Sequence, residues 1–138
     1  MSAKIYHFKV LGKPMSVNQT YKIGRGRGRS KMYVSEEAKN YGQYSAAQVR
    51  QQMRAQFLVN PLRGERLEVC YVYYFDSNRK FDHLNCNKKL NDALNQILWF
   101  DDKQIKVSHH YTLVDFKNPR IELFVREIKS INIPWFAK

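Results

Sequence analysis

A chain of 138 residues is the size of one compact domain and long enough to bury a core without disulfide or metal staples. An apolar share of 43% and an aromatic share of 14% exclude a disordered segment. The net charge of +12, from 24 Lys and Arg against 12 Asp and Glu, points to a polyanionic partner: nucleic acid first, an anionic membrane surface second. Cys70 and Cys86 make no disulfide framework and read as reduced thiols. Met1-Ser2-Ala3-Lys4 leads into an alternating stretch and lacks an apolar signal core. No run approaches the roughly 18 apolar residues of a membrane span, so a cytoplasmic location without membrane partners is expected.

Residues 4–11 alternate and predict a first strand. After the turn-rich Pro14–Tyr21, the stretch from Lys22 to Lys31 sets Lys22, Arg25, Arg27, Arg29 and Lys31 among Gly24, Gly26 and Gly28 with no acid. Gly alternating with Arg predicts a mobile basic loop over 22–31 that packs no core. Met32-Tyr33-Val34 reads as a short strand. Ser35 before Glu36, Glu37 and Ala38 marks a helix start. That helix runs to about Phe57, with Ala38, Tyr41, Ser45, Val49, Met53 and Phe57 as its buried face and Arg50, Gln52 and Arg54 elsewhere.

Arg66–Phe75 predicts the strongest strand, with Leu67, Val69, Tyr71, Tyr73 and Phe75 on one face. Cys70 and Val72 on the other face predict a central strand covered on both sides. A polar loop, Asp76–Asp82, carries Arg79 and Lys80. A second helix is predicted over about Asn85–Leu98, buried through Leu90, Leu94 and Ile97, with Asn85, Lys88 and Asp92 sharing another face. Asp101-Asp102 makes a turn, Gln104–Tyr111 and Arg120–Ile128 read as strands, and residues 129–138 form a tail containing Trp135-Phe136. The order β–loop–β–α–β–α–β–β predicts one α/β (α+β) domain over 1–138 with a mixed sheet.

The scarce acids are the candidates for chemistry. Mg²⁺ takes hard oxygen ligands, and two or three carboxylates beside a basic groove suffice to set it on a phosphate. Asp82 stands just before the second helix and Asp101-Asp102 just after it. A helix of about 14 residues is roughly 20 Å long, so its two ends meet only through a folded-back loop or a neighbouring strand. The structural alternative is that Asp82 caps the helix and Asp101-Asp102 is a solvated turn. The five cations from Lys22 to Lys31 read as a phosphate clamp, or alternatively as a solubilising loop. His83, Cys86, His109 and His110 lack the paired spacing of a zinc site, and no Gly-x-Ser-x-Gly elbow is present.

The residues now assembled resemble a known family, the RusA family of Holliday-junction resolvases, from about Ile5 to Ile128. The resemblance runs through Pro14-x-Ser16-x-Asn18-x-x-Tyr21, then a basic loop, then Val34-Ser35-x-Glu37-Ala38-x-x-Tyr41. Its most specific parts are Asp82-x-x-Asn85-x-x-Lys88-x-x-x-Asp92-Ala93-Leu94 and Trp99-Phe100-Asp101-Asp102-Lys103-Gln104-Ile105. It implies a homodimer that binds four-way DNA junctions and cuts them symmetrically with Mg²⁺ (Mn²⁺ as a substitute). It further implies a metal site of Asp82 and Asp102, with Asn85 and the phosphate-contacting Lys88. Lys22–Lys31, Arg79 and Lys80 are the expected DNA contacts.

The sequence departs from the family pattern at Leu84, where the motif has its second aspartate. Leucine cannot ligate a metal, and Asp76, Asp92 and Asp101 are the candidates to replace it. Three readings stay open at this point: a Mg²⁺-dependent junction endonuclease, a catalytically impaired relative that binds DNA as a regulatory or junction-binding factor, and a structural RNA-binding protein.

Overall fold

The computed structural model describes residues 4–15, 21–26, 29–34, 36–78 and 83–133, with the backbone alone described for 21–26, 29–34, 83 and 84. The chain runs β1 (Tyr6–Leu11), β2 (Tyr21–Gly26), β3 (Arg29–Val34), α1 (Glu36–Ala55), β4 (Leu67–Phe75), α2 (His83–Leu94), a 3₁₀ turn (Asp102–Gln104), β5 (Ile105–Val114) and β6 (Arg120–Glu127). Four strands form one mixed sheet in the order β1-β6-β4-β5. β6 pairs antiparallel with β1 and β4, and β5 pairs parallel with β4. A parallel neighbour requires a crossover, and α2 provides it. The expected α+β domain with a mixed sheet and two helices is therefore borne out.

β4 is the backbone of the core. Leu67, Val69, Tyr71, Tyr73 and Phe75 are fully buried, as strict alternation predicts. They pack with Phe8 and Val10 of β1, Ile121, Leu123 and Val125 of β6, Val49 and Met53 of α1, and Leu90 and Leu94 of α2. Each such side chain contributes about 1.5–3 kcal/mol when removed from water. The helix α1 opens with Glu36 and Glu37 and closes with Arg54, which suits its dipole.

The other sheet face differs from expectation. No second helical layer covers Cys70 and Val72 among the described residues. They are half-buried beneath a salt-bridged surface instead. Glu68 pairs with Arg126 and with His109 (2.8 Å), and Glu122 pairs with Arg120 (2.9 Å) and His7 (2.8 Å). Arg120 also reaches Asp115 and lies 3.8 Å from the centre of the Tyr74 ring. A single covered face suffices here because these paired charges lie over the apolar strand residues.

Three further expectations are corrected. Lys22–Lys31 is not a loop without regular structure: β2 and β3 pair antiparallel as a hairpin, with Ile23 opposite Met32 and Tyr21 opposite Val34. β-branched and aromatic residues at these cross-strand positions favour pairing despite the glycines. Arg27 lies outside the described residues. Phe57 is not part of the α1 buried face, because the helix ends at Ala55 and Phe57 is 89% exposed. Likewise α2 ends at Leu94, short of the predicted Leu98, although Leu98 and Trp99 are fully buried. Trp135 and Phe136 lie outside the described residues.

The sheet has two edges, β1 and β5, and α1 closes the first with side-chain amides. Gln48 accepts from the Leu11 N–H (2.8 Å). Gln52 accepts from the Lys9 N–H (2.6 Å) and donates to the Lys9 carbonyl (2.7 Å). Gln56 does the same at His7, at 3.0 and 2.9 Å. Four helical residues rise about 6.0 Å and two strand residues about 6.8 Å, so glutamines four apart match outward-facing amides two apart. The ladder substitutes for a fifth strand and protects the edge from strand addition. Gln52→Leu removes two of these bonds and is expected to cost about 1–2 kcal/mol. Urea denaturation measures the loss; wild-type stability would contradict the ladder.

Candidate metal and phosphate site

The site is built on the turn carrying Asp101 and Asp102. Trp99, just before it, is fully buried, and its indole N–H donates to Asn95 Oδ1 at 2.9 Å. Asp101 is the N-cap of the 3₁₀ turn and accepts from the Lys103 N–H at 2.8 Å. Gln104 holds the turn from the other side. Its Oε1 accepts from the Phe100 and Asp101 N–H groups at 2.8 and 2.9 Å. Its Nε2 donates to the Leu62 and Gly64 carbonyls, both at 2.9 Å. One side-chain amide thus ties the aspartate turn to the 62–64 segment with four hydrogen bonds.

The carboxylates here crowd one another. Burial, a hydrogen bond shared with Asp101 and the charges of Asp101 and Asp92 hold the Asp102 carboxyl above the usual carboxylate range, with Lys103 opposing. The Lys103 N–H holds Asp101 below it. This differs from the open sheet face, where bonding from His109 and then Arg126 holds Glu68 below its ordinary value. Acids matched by cations brace the sheet. At Asp102 the charges of Asp101 and Asp92 instead outweigh that of Lys103, an electrostatic setting that a divalent cation would relieve.

The helix α2 brings Asp92 to the same region, where its charge acts on Asp102. Asn85, Lys88 and Asp92 follow at spacings of three and four, so they share one helix face. The helix is anchored to the sheet beside Asp92, where the buried Tyr71 hydroxyl donates to Asn91 Oδ1 at 2.7 Å. Burial raises the Tyr71 hydroxyl, Asn91 opposes this, and the charge of Asp102 raises it further. His110 stacks on the Tyr71 ring at 4.9 Å and meets the Tyr73 hydroxyl at 3.3 Å. Sequence reasoning missed Tyr71, Asn91, Gln104 and His110 as neighbours of the site. The juxtaposition of Tyr71 and His110 comes from the parallel β4–β5 register, which no local spacing encodes.

Several expected residues are not brought together. Asp82, Arg79 and Lys80 lie outside the described residues, and of Leu84 only the backbone is described. Asp92 stands nine residues into α2 from His83, roughly 14 Å along the axis. The parallel register sets Asp102 beside the start of β4. Asp76 follows the far end of β4, about 26 Å away along the strand, and pairs with Lys13 at 3.8 Å. Asp76 is therefore not brought beside Asp102, whereas the charges of Asp101 and Asp92 reach it. His109 and His110 point to opposite faces of β5, toward Glu68 and Tyr71 respectively. Cys86 is buried in the core.

Mg²⁺ takes hard oxygen ligands and keeps several waters. The Asp102 carboxylate in its acidic surroundings fits that chemistry. Among the described residues no group of three or more His, Cys, Asp or Glu could hold a metal ion. Gln104→Ala is expected to lower stability by about 2–3 kcal/mol, because it leaves two backbone carbonyls and two N–H groups of the turn without their partner. Thermal denaturation reads the loss, and an unchanged midpoint would refute the clamp.

No curated protein matches the chain. The family model described as Endodeoxyribonuclease RusA matches residues 12–126. That span holds β4, α2 and the whole aspartate turn. The chain accordingly belongs to the RusA endodeoxyribonuclease family.

Proposed function

We propose that the chain is a Mg²⁺-dependent, structure-selective endonuclease that binds four-way DNA junctions as a homodimer and resolves them in recombination and repair. The observation that carries this reading is the family match over residues 12–126, which includes Asp82, Asn85, Lys88 and Asp102 in order. The turn geometry supports it: Gln104 and Asp101 fix the backbone around Asp102, while Asp92 and Asp101 surround it with negative charge. Asp82 and Asp102 would hold the cation, with Asp101 as an outer neighbour and Asn85 orienting the group beside it. Bound Mg²⁺ supplies Lewis-acid polarisation of the scissile phosphodiester. Lys88, on the Asp92 face of α2, offsets charge developing on the phosphate. Two such sites in a dimer would act on opposite arms of a junction.

The basic residues Lys22, Arg25, Arg27, Arg29 and Lys31 would hold the phosphate backbone, joined by Arg79 and Lys80. Phosphate contacts of this kind carry affinity and orientation, not sequence. No described helix is long and apolar enough to cross a membrane.

Leu84 favours a second reading. With a leucine at the family's second aspartate, the chain would bind junctions as a catalytically impaired regulatory or junction-binding factor.

Nicking of a synthetic four-way junction with Mg²⁺ or Mn²⁺ separates the two readings. Asp102→Asn and Asp82→Asn are each expected to abolish product while leaving junction affinity intact; full activity in either would sink the mechanism. Under the second reading the wild type gives no metal-dependent product, and Leu84→Asp creates cleavage. Neutralising Arg25, Arg27 and Arg29 should flatten the salt dependence of binding by about 0.9 in slope per lost duplex-phosphate contact. An unchanged slope would remove the hairpin from the DNA interface.

A further inference from the structure

The end of α1 places a large apolar side chain where both backbone and solvent disfavour it. Phe57 follows the last turn, with its N–H on the Arg54 carbonyl (3.1 Å) and the Leu58 N–H on the Met53 carbonyl (2.8 Å). Its φ is 60°, the left-handed conformation that helix ends usually assign to glycine. The ring is 89% exposed, and Val59 beside it is 86% exposed. Gln96, with φ of 68°, is the other non-glycine residue with positive φ among the described residues. Both line one cleft of about 570 Å³. Backbone strain of this kind gathers at ligand-contacting sites.

The chemistry of the cleft is cationic and aromatic. Arg50 and Arg54 line it with Phe57 and Ile97, and among the described residues no acid does. Neither arginine forms an ion pair among the described residues, and both are exposed. The cleft also adjoins the aspartate turn, because Gln96 donates to the Phe100 carbonyl at 2.6 Å. An exposed ring flanked by free cations is how proteins hold unpaired nucleotides: bases stack on the ring and phosphates meet the guanidinium groups. A second copy of this chain fits less well. Around a two-fold axis a patch meets itself, which would set these arginines against their own mates.

We propose that this cleft receives an unpaired, unstacked nucleotide of the DNA, its base on Phe57 and its flanking phosphates on Arg50 and Arg54. The proposal rests on the DNA-binding reading and gives it a structure-selective element, since paired bases in a duplex do not present a free face.

Phe57→Gly provides the test, because glycine suits the backbone there. The variant should melt a few degrees higher than wild type, at about 2–5 °C. It should nevertheless bind single-stranded oligothymidylate and a four-way junction about tenfold more weakly, with affinity for a perfect duplex unchanged. Phe57→Trp should retain wild-type affinity for all three. Replacing Arg50 and Arg54 by Ala should lower the salt slope on oligothymidylate by about 0.7 per lost contact. Wild-type binding of all three DNAs by Phe57→Gly, or an equal loss on duplex, would overturn the proposal. So would a loss of self-association with DNA affinity intact. Failure of the wild-type chain to bind the junction at all would instead refute the proposed function.

Discussion

The site depends on one side-chain amide. Gln104 uses both its oxygen and its nitrogen, two bonds each, to tie the Phe100–Asp101 backbone to the Leu62 and Gly64 carbonyls. Without that clamp, Asp102 would sit on an exposed turn between a buried tryptophan and the first residue of β5. With it, a charged residue is held where burial and two neighbouring carboxylates raise its energy. The motif Trp-x-Asp-Asp-x-Gln-Ile thereby acquires a physical reading. Trp99 fills the core, Asp101 caps, Gln104 clamps, and Asp102 is left under the charges of Asp101 and Asp92.

The rest of the fold keeps that arrangement stiff. β4 lies between β6 and β5, so the strand that carries Tyr71 is paired along both edges. The hydrogen bond from Tyr71 to Asn91 sets the height of α2 over the sheet beside Asp92. The glutamine ladder from α1 does comparable work at β1, where it satisfies backbone groups that would otherwise face solvent or another strand. The acids divide accordingly: Glu68, Glu122 and Asp115 are matched by cations that brace the open sheet face, whereas at Asp102 the neighbouring carboxylates outweigh Lys103.

Alternation and periodicity made much of this legible. The buried face of β4 and five of the six expected core residues of α1 follow directly from spacings of two and of three to four. Phe57 failed because a periodic pattern does not say where a helix stops, and here the backbone turns left-handed two residues after Ala55. The hairpin at Lys22–Lys31 was hidden because glycine and arginine are poor strand formers, and its pairing is set by the residues opposite. Asp76, Asp92 and Asp101 stand alike along the chain as candidates for the place left by Leu84. Only the parallel register of β4 and β5 sets Asp76 at the opposite end of the sheet from the Asp102 turn. Gln104 looked like an ordinary polar residue at a strand start, since its four partners lie three to 42 residues away.

We propose that this turn belongs to a metal-dependent cutting site. Cleavage of a four-way junction by the wild-type chain, followed under single-turnover conditions across a Mg²⁺ titration, tests it most directly. Paired symmetric nicks whose rate rises and saturates with Mg²⁺ are expected. Tight junction binding with no product at any Mg²⁺ or Mn²⁺ concentration would contradict it.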